Sequence, residues 1–302
     1  MILLPRPPRP PNADPSTLRT VRRSEQILIA FFLYTSALAL LLPIGWPGAA
    51  TALLLNTLLL AAYVLLIYAD SRHGHNATGV LRDWLPPVLV LMAYREMGWF
   101  APRHHTYVLE QRWIVWDRLL LSHWGLQRAI ESLGPLLPSI LEIAYSLVYT
   151  VAPFALAMLY LYGERRRAER FLVVFVLGAL LSYAQFPFWP SEPPRVVFPN
   201  DNVPSMQTVF RRFNWFLLGG YGIHTSVFPS AHVSSAFAAA FGMVRALPEK
   251  PWVGRFLLVL AALIATATVY GRYHYVVDAV AGFAVSVVAL GLGLLLDRSS
   301  RA

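Results

Sequence analysis

Residues 228–278 read FPSAHVSSAFAAAFGMVRALPEKPWVGRFLLVLAALIATATVYGRYHYVVD. Two short polar motifs, the first at 228–232 and the second at 271–278, are separated by two apolar segments. The apolar segments lie at about 232–247 and 256–271, and a third, at 275–296, follows the second motif. Apolar segments of about this length are typical of helices that cross a lipid bilayer. The stretch therefore predicts a hairpin of membrane helices that carries both polar motifs to one side of the membrane.

The remainder of the chain has the same apolar character. It has 302 residues, of which 57% are hydrophobic and 14% charged, and its mean hydropathy is +0.52. This composition indicates an integral membrane protein. We predict an all-α polytopic bundle of six to eight transmembrane helices, with the other candidate spans at 25–44, 50–69, 84–100, 137–162 and 171–189.

The segment at 84–100 has features that complicate a full crossing. Pro86 and Pro87 open it, and Arg95 and Glu96 interrupt its apolar pattern. Proline removes a helical hydrogen bond, and charged side chains are costly inside a membrane. A full span and a short, tilted or re-entrant helix therefore both remain open.

The chain is predicted to have four regions. Residues 1–23 carry Pro-Arg repeats without an apolar signal segment and are expected to form a disordered cytoplasmic tail. Residues 24–100 form N-terminal transmembrane helices, and 101–135 form an extracytoplasmic amphipathic segment at the interface, interpreted as a structural lid in preference to a direct contact with substrate. Residues 136–296 form a transmembrane core that carries both polar motifs, in which 190–228 are expected to be a long functional loop.

The basic residues indicate an orientation. The formal net charge is +9, but the arginines lie mainly in short segments between apolar spans, so membrane topology explains them better than nucleic-acid binding does. The positive-inside rule predicts cytoplasmic N- and C-termini and puts Arg195, His232 and His274 at the extracytoplasmic face. Motifs far apart in sequence thus meet at one membrane surface, which a random scatter would not produce. We expect the protein in the plasma (inner) membrane.

Cysteine is absent, which excludes disulfides and thiolate metal sites.

The second polar motif contains a histidine and an aspartate four residues apart, His274 and Asp278. If the chain is helical from about His274 onward, the two side chains share one face. The carboxylate then accepts the proton on imidazole Nδ1 and leaves Nε2 free to act as a nucleophile. A purely structural hydrogen bond inside the membrane is the alternative for this pair alone.

The first polar motif supplies Ser230 and His232 at the start of a predicted helix. Free backbone N–H groups and the helix dipole favour an anion there. Ser230 alone is explained equally well as an N-cap. Together, the two motifs provide a nucleophile, an acid and an anion site, which indicates phosphoryl transfer.

These motifs resemble those of the type 2 phosphatidic acid phosphatase superfamily over about residues 110–296. Pro229-Ser230-Ala231-His232 is similar to its Pro-Ser-Gly-His pattern, with Ala in place of Gly, and His274 with Asp278 is similar to the end of its Ser-Arg-(five)-His-(three)-Asp pattern. The resemblance implies that His274 attacks phosphorus, that Asp278 orients it, and that His232 protonates the leaving oxygen.

The chain departs from the family patterns at the phosphate-binding positions. Thr268 stands six residues before His274, where the family has arginine, and Arg272 is expected one helical turn from it. Pro193-Pro194-Arg195 supplies the arginine of the first pattern, but Phe188 stands where its lysine is expected. Arg211 and Arg212, on the same face, are candidates to replace the lysine, and an anchor to surface phospholipid is the alternative. The Pro193-Pro194-Arg195 and His274-Tyr275 patterns resemble those of the inositol-phosphotransferase branch of the superfamily.

The sequence thus predicts a membrane-embedded, metal-independent lipid phosphate phosphatase that acts at the extracytoplasmic face through a phosphohistidine. Its partners are a lipid phosphate or phospholipid substrate and the bilayer, and no cofactor or metal ion is implied. A phosphotransferase that moves a phospho-head group between lipids is the alternative. Two others are a transporter, in which His and Asp relay protons, and a catalytically inactive lipid-binding protein. The predicted phosphate-binding residues are Arg195, Ser230, Arg272, Arg211 and Arg212.

Overall fold

The computed structural model describes residues 21–73, 76–100, 106–223 and 227–299, and these residues form helices and connections without any strand. Short π- and 3₁₀-helical turns join several of the α-helices. The α-helices are α1 (Arg23–Leu41), α2 (Trp46–His73), α3 (Asn76–Phe100), α4 (Val108–Asp117), α5 (Leu126–Glu131), α6 (Leu136–Leu147), α7 (Val151–Leu161), α8 (Ala168–Tyr183), α9 (Pro194–Val197), α10 (Val209–Tyr221), α11 (Ala231–Ala246), α12 (Pro251–Tyr270) and α13 (Val276–Ser299).

Within the described ranges, six helical segments are long and apolar enough to cross a membrane. The predicted polytopic helical bundle is therefore confirmed. Two of the predicted spans, 84–100 and 232–247, lie instead in α3 and α11, which are not among the six. The six are Arg23–Leu41, Trp46–Arg72, Leu136–Leu161, Arg165–Phe188, Pro251–Tyr270 and Val276–Arg298.

Helix α11 lies at the centre of the bundle, in contact with α7, α8, α12 and α13. It is built mainly from Ala, Ser and Gly, which allow neighbouring backbones to approach closely when the surrounding lipid is as apolar as the helix. A Cβ atom added to Gly178 of α8 would come within 2.3 Å of the Cβ of Ala238. Ser182 donates a 2.8 Å hydrogen bond to Ser234 nearby. This close packing fixes the start of α11, which carries His232.

The two ends of these helices differ in chemistry. The helices α11 and α13 both begin at the polar motifs and end at a cluster of charged side chains. In that cluster, Asp297 accepts a 2.5 Å bond from Arg245 and lies 3.6 Å from Arg170. Arg245 and the first polar motif thus lie at opposite ends of the same helix, α11.

A buried charge network joins the N-terminal helices to one another. Arg82 of α3 is 2% exposed and makes two 2.7 Å hydrogen bonds with Glu25 of α1 and one of 2.6 Å with Asp70 of α2. Asp83 accepts bonds of 2.5 Å from Arg22 and 2.7 Å from Arg165. These contacts link α1, α2 and α3 to the segment that precedes α8.

The segment 190–228 is more regular than the predicted loop. It contains α9 and the 13-residue α10, in which Phe213 and Phe216 are exposed while Arg211 and Asn214 are buried. The sequence interpretation missed the amphipathic pattern of α10, because the many proline and glycine residues elsewhere in 190–228 indicated a loop. The amphipathic segment predicted at 101–135 contains α4 and α5, with 101–105 outside the described residues. Most of the predicted N-terminal tail, 1–20, also lies outside them.

Candidate active site

Three chain segments meet at one end of the bundle and form the candidate site. His232 lies in the first turn of α11, His274 in the connection between α12 and α13, and Arg195 in the short helix α9. The backbone N–H of Arg195 donates to the carbonyl oxygen of Arg272 at 3.3 Å. This bond ties the segment that follows α8 to the connection that carries His274.

The connection between α12 and α13 is a tight turn. The carbonyl oxygen of Thr268 accepts 2.9 Å hydrogen bonds from the backbone N–H groups of both Tyr273 and His274. Arg272 has φ of +65°, a left-handed conformation that is uncommon for a residue other than glycine. The expectation that Thr268 and Arg272 lie one turn apart on a helix is wrong, because α12 ends at Tyr270 and Arg272 belongs to the turn.

The two histidines face each other. Nε2 of His274 lies 3.4 Å from Nδ1 of His232, and Nδ1 of His274 lies 3.4 Å from Oδ2 of Asp278. Asp278 is in the first turn of α13, whereas His274 precedes the helix, which begins at Val276. The same Oδ2 accepts a 2.8 Å bond from the backbone N–H of Tyr275, which fixes the carboxylate next to the imidazole. Two imidazole nitrogens and a buried carboxylate therefore lie within 3.4 Å contacts of one another.

The environment of His274 favours its neutral form. Burial lowers the pKa of His274 well below its usual range, and the nearby His232 and the positive charge of Arg195 lower it further. A neutral imidazole has a free lone pair on one nitrogen. His274 therefore holds a form that can attack phosphorus without first losing a proton to solvent.

Arg272 is buried but retains two free donors. Its Nη1 pairs with Oδ2 of Asp117, while its Nε and Nη2 have no hydrogen-bond partner among the described residues. The other oxygen of Asp117 accepts a 2.8 Å bond from the backbone N–H of Val276. A buried donor without a partner is costly, so these N–H groups are well suited to an anionic ligand.

Arg195 is a second cation with no salt bridge to a carboxylate of the described part of the chain. Its guanidinium carbon lies 5.6 Å from the ring centroid of Tyr273, a cation–π distance. Burial lowers the pKa of Arg195, but an arginine in a protein stays protonated. Its positive charge acts on His274, so it contributes an uncompensated field at the place where a phosphate would lie.

Ser230 forms the N-cap of α11. Its Oγ accepts a 3.4 Å bond from the backbone N–H of Val233, and its own N–H donates to the carbonyl oxygen of Asp278 at 3.0 Å. A Cβ atom added to Gly282 would come within 2.4 Å of the Ser230 carbonyl oxygen, so the start of α11 rests directly on α13. The structure thus brings Ser230 beside His232, Asp278 and the positive end of the α11 dipole.

Arg211 and Arg212 have different positions. Arg211 is buried, donates to Glu142 at 3.0 Å and lies 3.4 Å from the carbonyl oxygen of Gly271, next to the turn that carries Arg272. Arg212 lies on the exposed side of α10. The structure therefore brings Arg211 beside the site, already paired with a carboxylate, and does not bring Arg212 to it.

Sequence reasoning missed the residues that support the site from behind. Besides Arg211, Glu142 accepts a 2.7 Å bond from Asn214 and a 2.6 Å bond from the Tyr273 hydroxyl. Tyr145 stacks on the His232 ring at 4.9 Å and on the Tyr273 ring at 4.1 Å. The signal for Glu142 was available, since an acidic residue inside an apolar span is usually functional. Asp117 was visible only as part of an amphipathic pattern.

Within the described residues, no group of three or more His, Cys, Asp and Glu side chains is placed to hold a metal ion.

Comparison with known proteins relates this arrangement to one family. The family model described as the PAP2 superfamily matches residues 112–292, more than half of the chain. A PA-phosphatase related-family protein of Dictyostelium discoideum is 39% identical over 66 residues, which are 22% of this chain and 11% of that protein. This chain therefore aligns with only about a tenth of that relative's length. No solved structure matches the chain.

Proposed function

This chain belongs to the PAP2 superfamily, and we propose that it hydrolyses a lipid phosphate ester at the extracytoplasmic face of the membrane through a phosphohistidine on His274. The observation that carries the proposal is the 3.4 Å approach of His274 Nε2 to His232 Nδ1, with free donors on Arg272, two residues before His274 in the same turn. The proposal assigns to these residues the roles of nucleophile, acid and anion site. The name of the aligned relative, a PA-phosphatase related-family protein, agrees with a phosphatase-type activity.

The phosphate is held by charge and by backbone dipoles. Nε and Nη2 of Arg272 donate to its non-bridging oxygens, and Arg195 supplies a second positive charge. The first N–H groups of α11, next to Ser230, point toward the same anion. These groups offset the negative charge on the equatorial oxygens in the transition state, which is the main requirement for phosphoryl transfer.

The first chemical step forms a P–N bond and breaks a P–O bond. Nε2 of His274 attacks phosphorus in line with the ester oxygen, and His232 gives a proton to that oxygen as the lipid alcohol leaves. For this the two rings must move apart from their 3.4 Å contact, so that the phosphoryl group lies between the two nitrogens. Asp278 stabilises the positive charge that His274 acquires. Burial and the positive charge of Arg195 lower the pKa of His232 to about 4. The negative charge of the bound phosphate opposes this shift and favours the protonated form of His232 that this step requires.

The second step returns the enzyme to its starting state. His232, now neutral, accepts a proton from a water molecule as the water oxygen attacks phosphorus. The P–N bond breaks, inorganic phosphate leaves, and His274 is neutral again. The reaction therefore consumes one lipid phosphate and one water molecule and needs no other reactant.

The proposal is tested with purified protein and a lipid phosphate that carries labelled phosphorus. We expect release of inorganic phosphate, inhibition by vanadate, no loss of rate with a chelator, and a phosphoprotein that is labile in acid and stable in alkali. His274→Ala should remove both turnover and the labelled protein. Turnover by His274→Ala, or activity that a chelator abolishes and a divalent metal restores, would refute the mechanism.

A phosphotransferase is the second candidate, favoured by the Pro193-Pro194-Arg195 and His274-Tyr275 patterns. The phosphohistidine step is common to both reactions, and they differ in whether water or an alcohol attacks it. For a hydrolase, phosphate release is unchanged by added polyols, inositol included. Label that appears only in a lipid or polyol product, with negligible release in water, would replace hydrolysis by transfer.

A further inference from the structure

A cavity of about 160 Å³ begins at His232 and extends away from the two histidines into the bundle. It lies between α3, the span formed by α6 and α7, and the helices α8 and α11. Apart from His232, its wall near the site is formed by Tyr149, Ser235 and Tyr94. Farther along, the lining is almost wholly apolar, with Pro87 and Leu91 of α3 on one side and Ala152 of α7 on the other.

Irregular backbone borders the cavity on two sides. Pro87 lies inside α3, where a proline lacks the N–H of a regular helix and its ring displaces the preceding turn. On the opposite wall, the 3₁₀ turn Val148–Thr150 interrupts the span between α6 and α7, and Pro153 follows it. Such interruptions prevent ideal side-by-side packing of helices, which accounts for a space at this level of an otherwise closely packed bundle.

One side of the cavity reaches the outer surface of the bundle. Val88 and Leu91 line it and are 50% and 36% exposed. Both belong to α3, and we place this outer side of α3 against lipid because α3 packs on α1 and α8, which are long and apolar enough to cross the membrane. A hydrocarbon chain can therefore extend from the cavity into the membrane without passing through water.

The position of the cavity relates it to the leaving group. In the proposed reaction, His232 gives its proton to the ester oxygen that leaves, so the carbon bonded to that oxygen lies on the His232 side of the phosphate. The cavity occupies this side. We propose that it holds the first hydrocarbon segment of the lipid alcohol, and that Val88 and Leu91 of α3 determine how bulky this segment can be.

This inference rests on the proposed function but concerns a part of the chain that the family comparison does not cover. Helix α3, Asn76–Phe100, precedes the matched residues 112–292. The N-terminal helices thus add a specificity-determining wall to a catalytic core that lies in the matched region. Val88 and Leu91 select the substrate by shape alone, since the bilayer is as apolar as the cavity and burial from lipid gives little net gain.

The volume gives a measurable limit. A cavity of about 150 Å³ in another protein binds benzene, so this one is expected to hold about six carbon atoms. In a series of water-soluble alkyl phosphates from ethyl upward, each carbon that moves from water into the cavity should raise kcat/KM about fourfold. The increase per carbon should become smaller beyond about the sixth carbon, where the cavity is full and further carbons pass through its open side into the apolar surroundings.

The test measures phosphate release along this series for the wild-type protein and four variants. Leu91→Trp and Val88→Trp fill the opening and should end the rise at a shorter chain, lowering kcat/KM much less for ethyl phosphate than for long-chain phosphates. Leu91→Ala should move the limit to a longer chain. The matched control is Val287→Trp on α13, a residue that is 47% exposed and outside the cavity lining, and it should behave as wild type.

The outcomes separate this inference from the proposed function. If the wild-type protein releases phosphate but all variants keep its chain-length limit, or if chain length has no effect, the cavity does not hold the leaving group. A loss of equal size for ethyl and long-chain phosphates in both tryptophan variants and in Leu91→Ala would also overturn it. If the folded wild-type protein releases phosphate from none of the esters, the proposed function itself fails.

Discussion

Replacing Asp278 by Asn tests how far catalysis depends on the carboxylate behind His274. The substitution keeps the shape of the side chain and an oxygen that can accept the N–H of Tyr275, so the start of α13 should remain folded. It removes the negative charge 3.4 Å from His274 Nδ1. That charge matters most when His274 becomes positive on forming its bond to phosphorus.

The expected loss can be worked out from this distance. For unit charges 3.4 Å apart, Coulomb's law with an effective dielectric constant of about 20 gives about 5 kcal/mol, an upper limit for the differential stabilisation of the transition state. Serine hydrolases lose about 10⁴ in kcat when the corresponding aspartate becomes asparagine. Because Oδ2 of Asp278 is shared with the N–H of Tyr275 and the contact is longer than a normal hydrogen bond, we expect a smaller loss, of about 10²- to 10³-fold.

The assay is single-turnover phosphate release by detergent-purified protein, with thermal unfolding recorded for each variant. Asp297→Asn is the matched control, because Asp297 lies on the same helix and pairs with Arg245 at the end away from the site. It should retain the wild-type rate of chemistry. A fully folded Asp278→Asn variant with the wild-type rate would show that the carboxylate does not assist His274 and would refute the reasoning.

Three further predictions concern charge and orientation. In the proposed mechanism, neutral His274 is the attacking form. Its lowered pKa puts the acid limb of the kcat/KM profile below the ordinary histidine value of about 6.5. Arg195→Gln should therefore move this limb to higher pH, and an unmoved limb would exclude direct action of the Arg195 charge on His274. Arg272→Lys should lower kcat/KM at least about tenfold, because one ammonium group cannot replace the free Nε and Nη2 donors, and a wild-type value would contradict their role. The chain has no cysteine, so Arg212→Cys and Arg166→Cys each introduce a single thiol. An impermeant thiol reagent on intact cells should label Arg212→Cys and spare Arg166→Cys, and the reverse pattern would contradict the predicted orientation.

The helical membrane fold was predictable because apolar length is a strong signal that does not depend on distant contacts. The spacing of His274 and Asp278 also predicted their proximity, although His274 precedes the helix. The left-handed conformation of Arg272 was not predictable, since glycine is the usual residue there and Gly271 stands beside it. Asp117 pairs with Arg272 across 155 positions of the chain, and local periodicity carries no information about such a contact.

The buried contacts of Arg82 have a consequence for the order in which the protein enters the membrane. Arg82 lies almost two turns into α3, and its partners Glu25 and Asp70 belong to α1 and α2. An arginine opposes insertion of a helix by about 3 kcal/mol at the helix centre, and by less near the helix end, where Arg82 lies. Helix α3 therefore enters the bilayer more favourably once both preceding helices are present to neutralise it. We therefore expect the first three helices to assemble as one unit during synthesis, before the residues of the candidate site emerge from the ribosome.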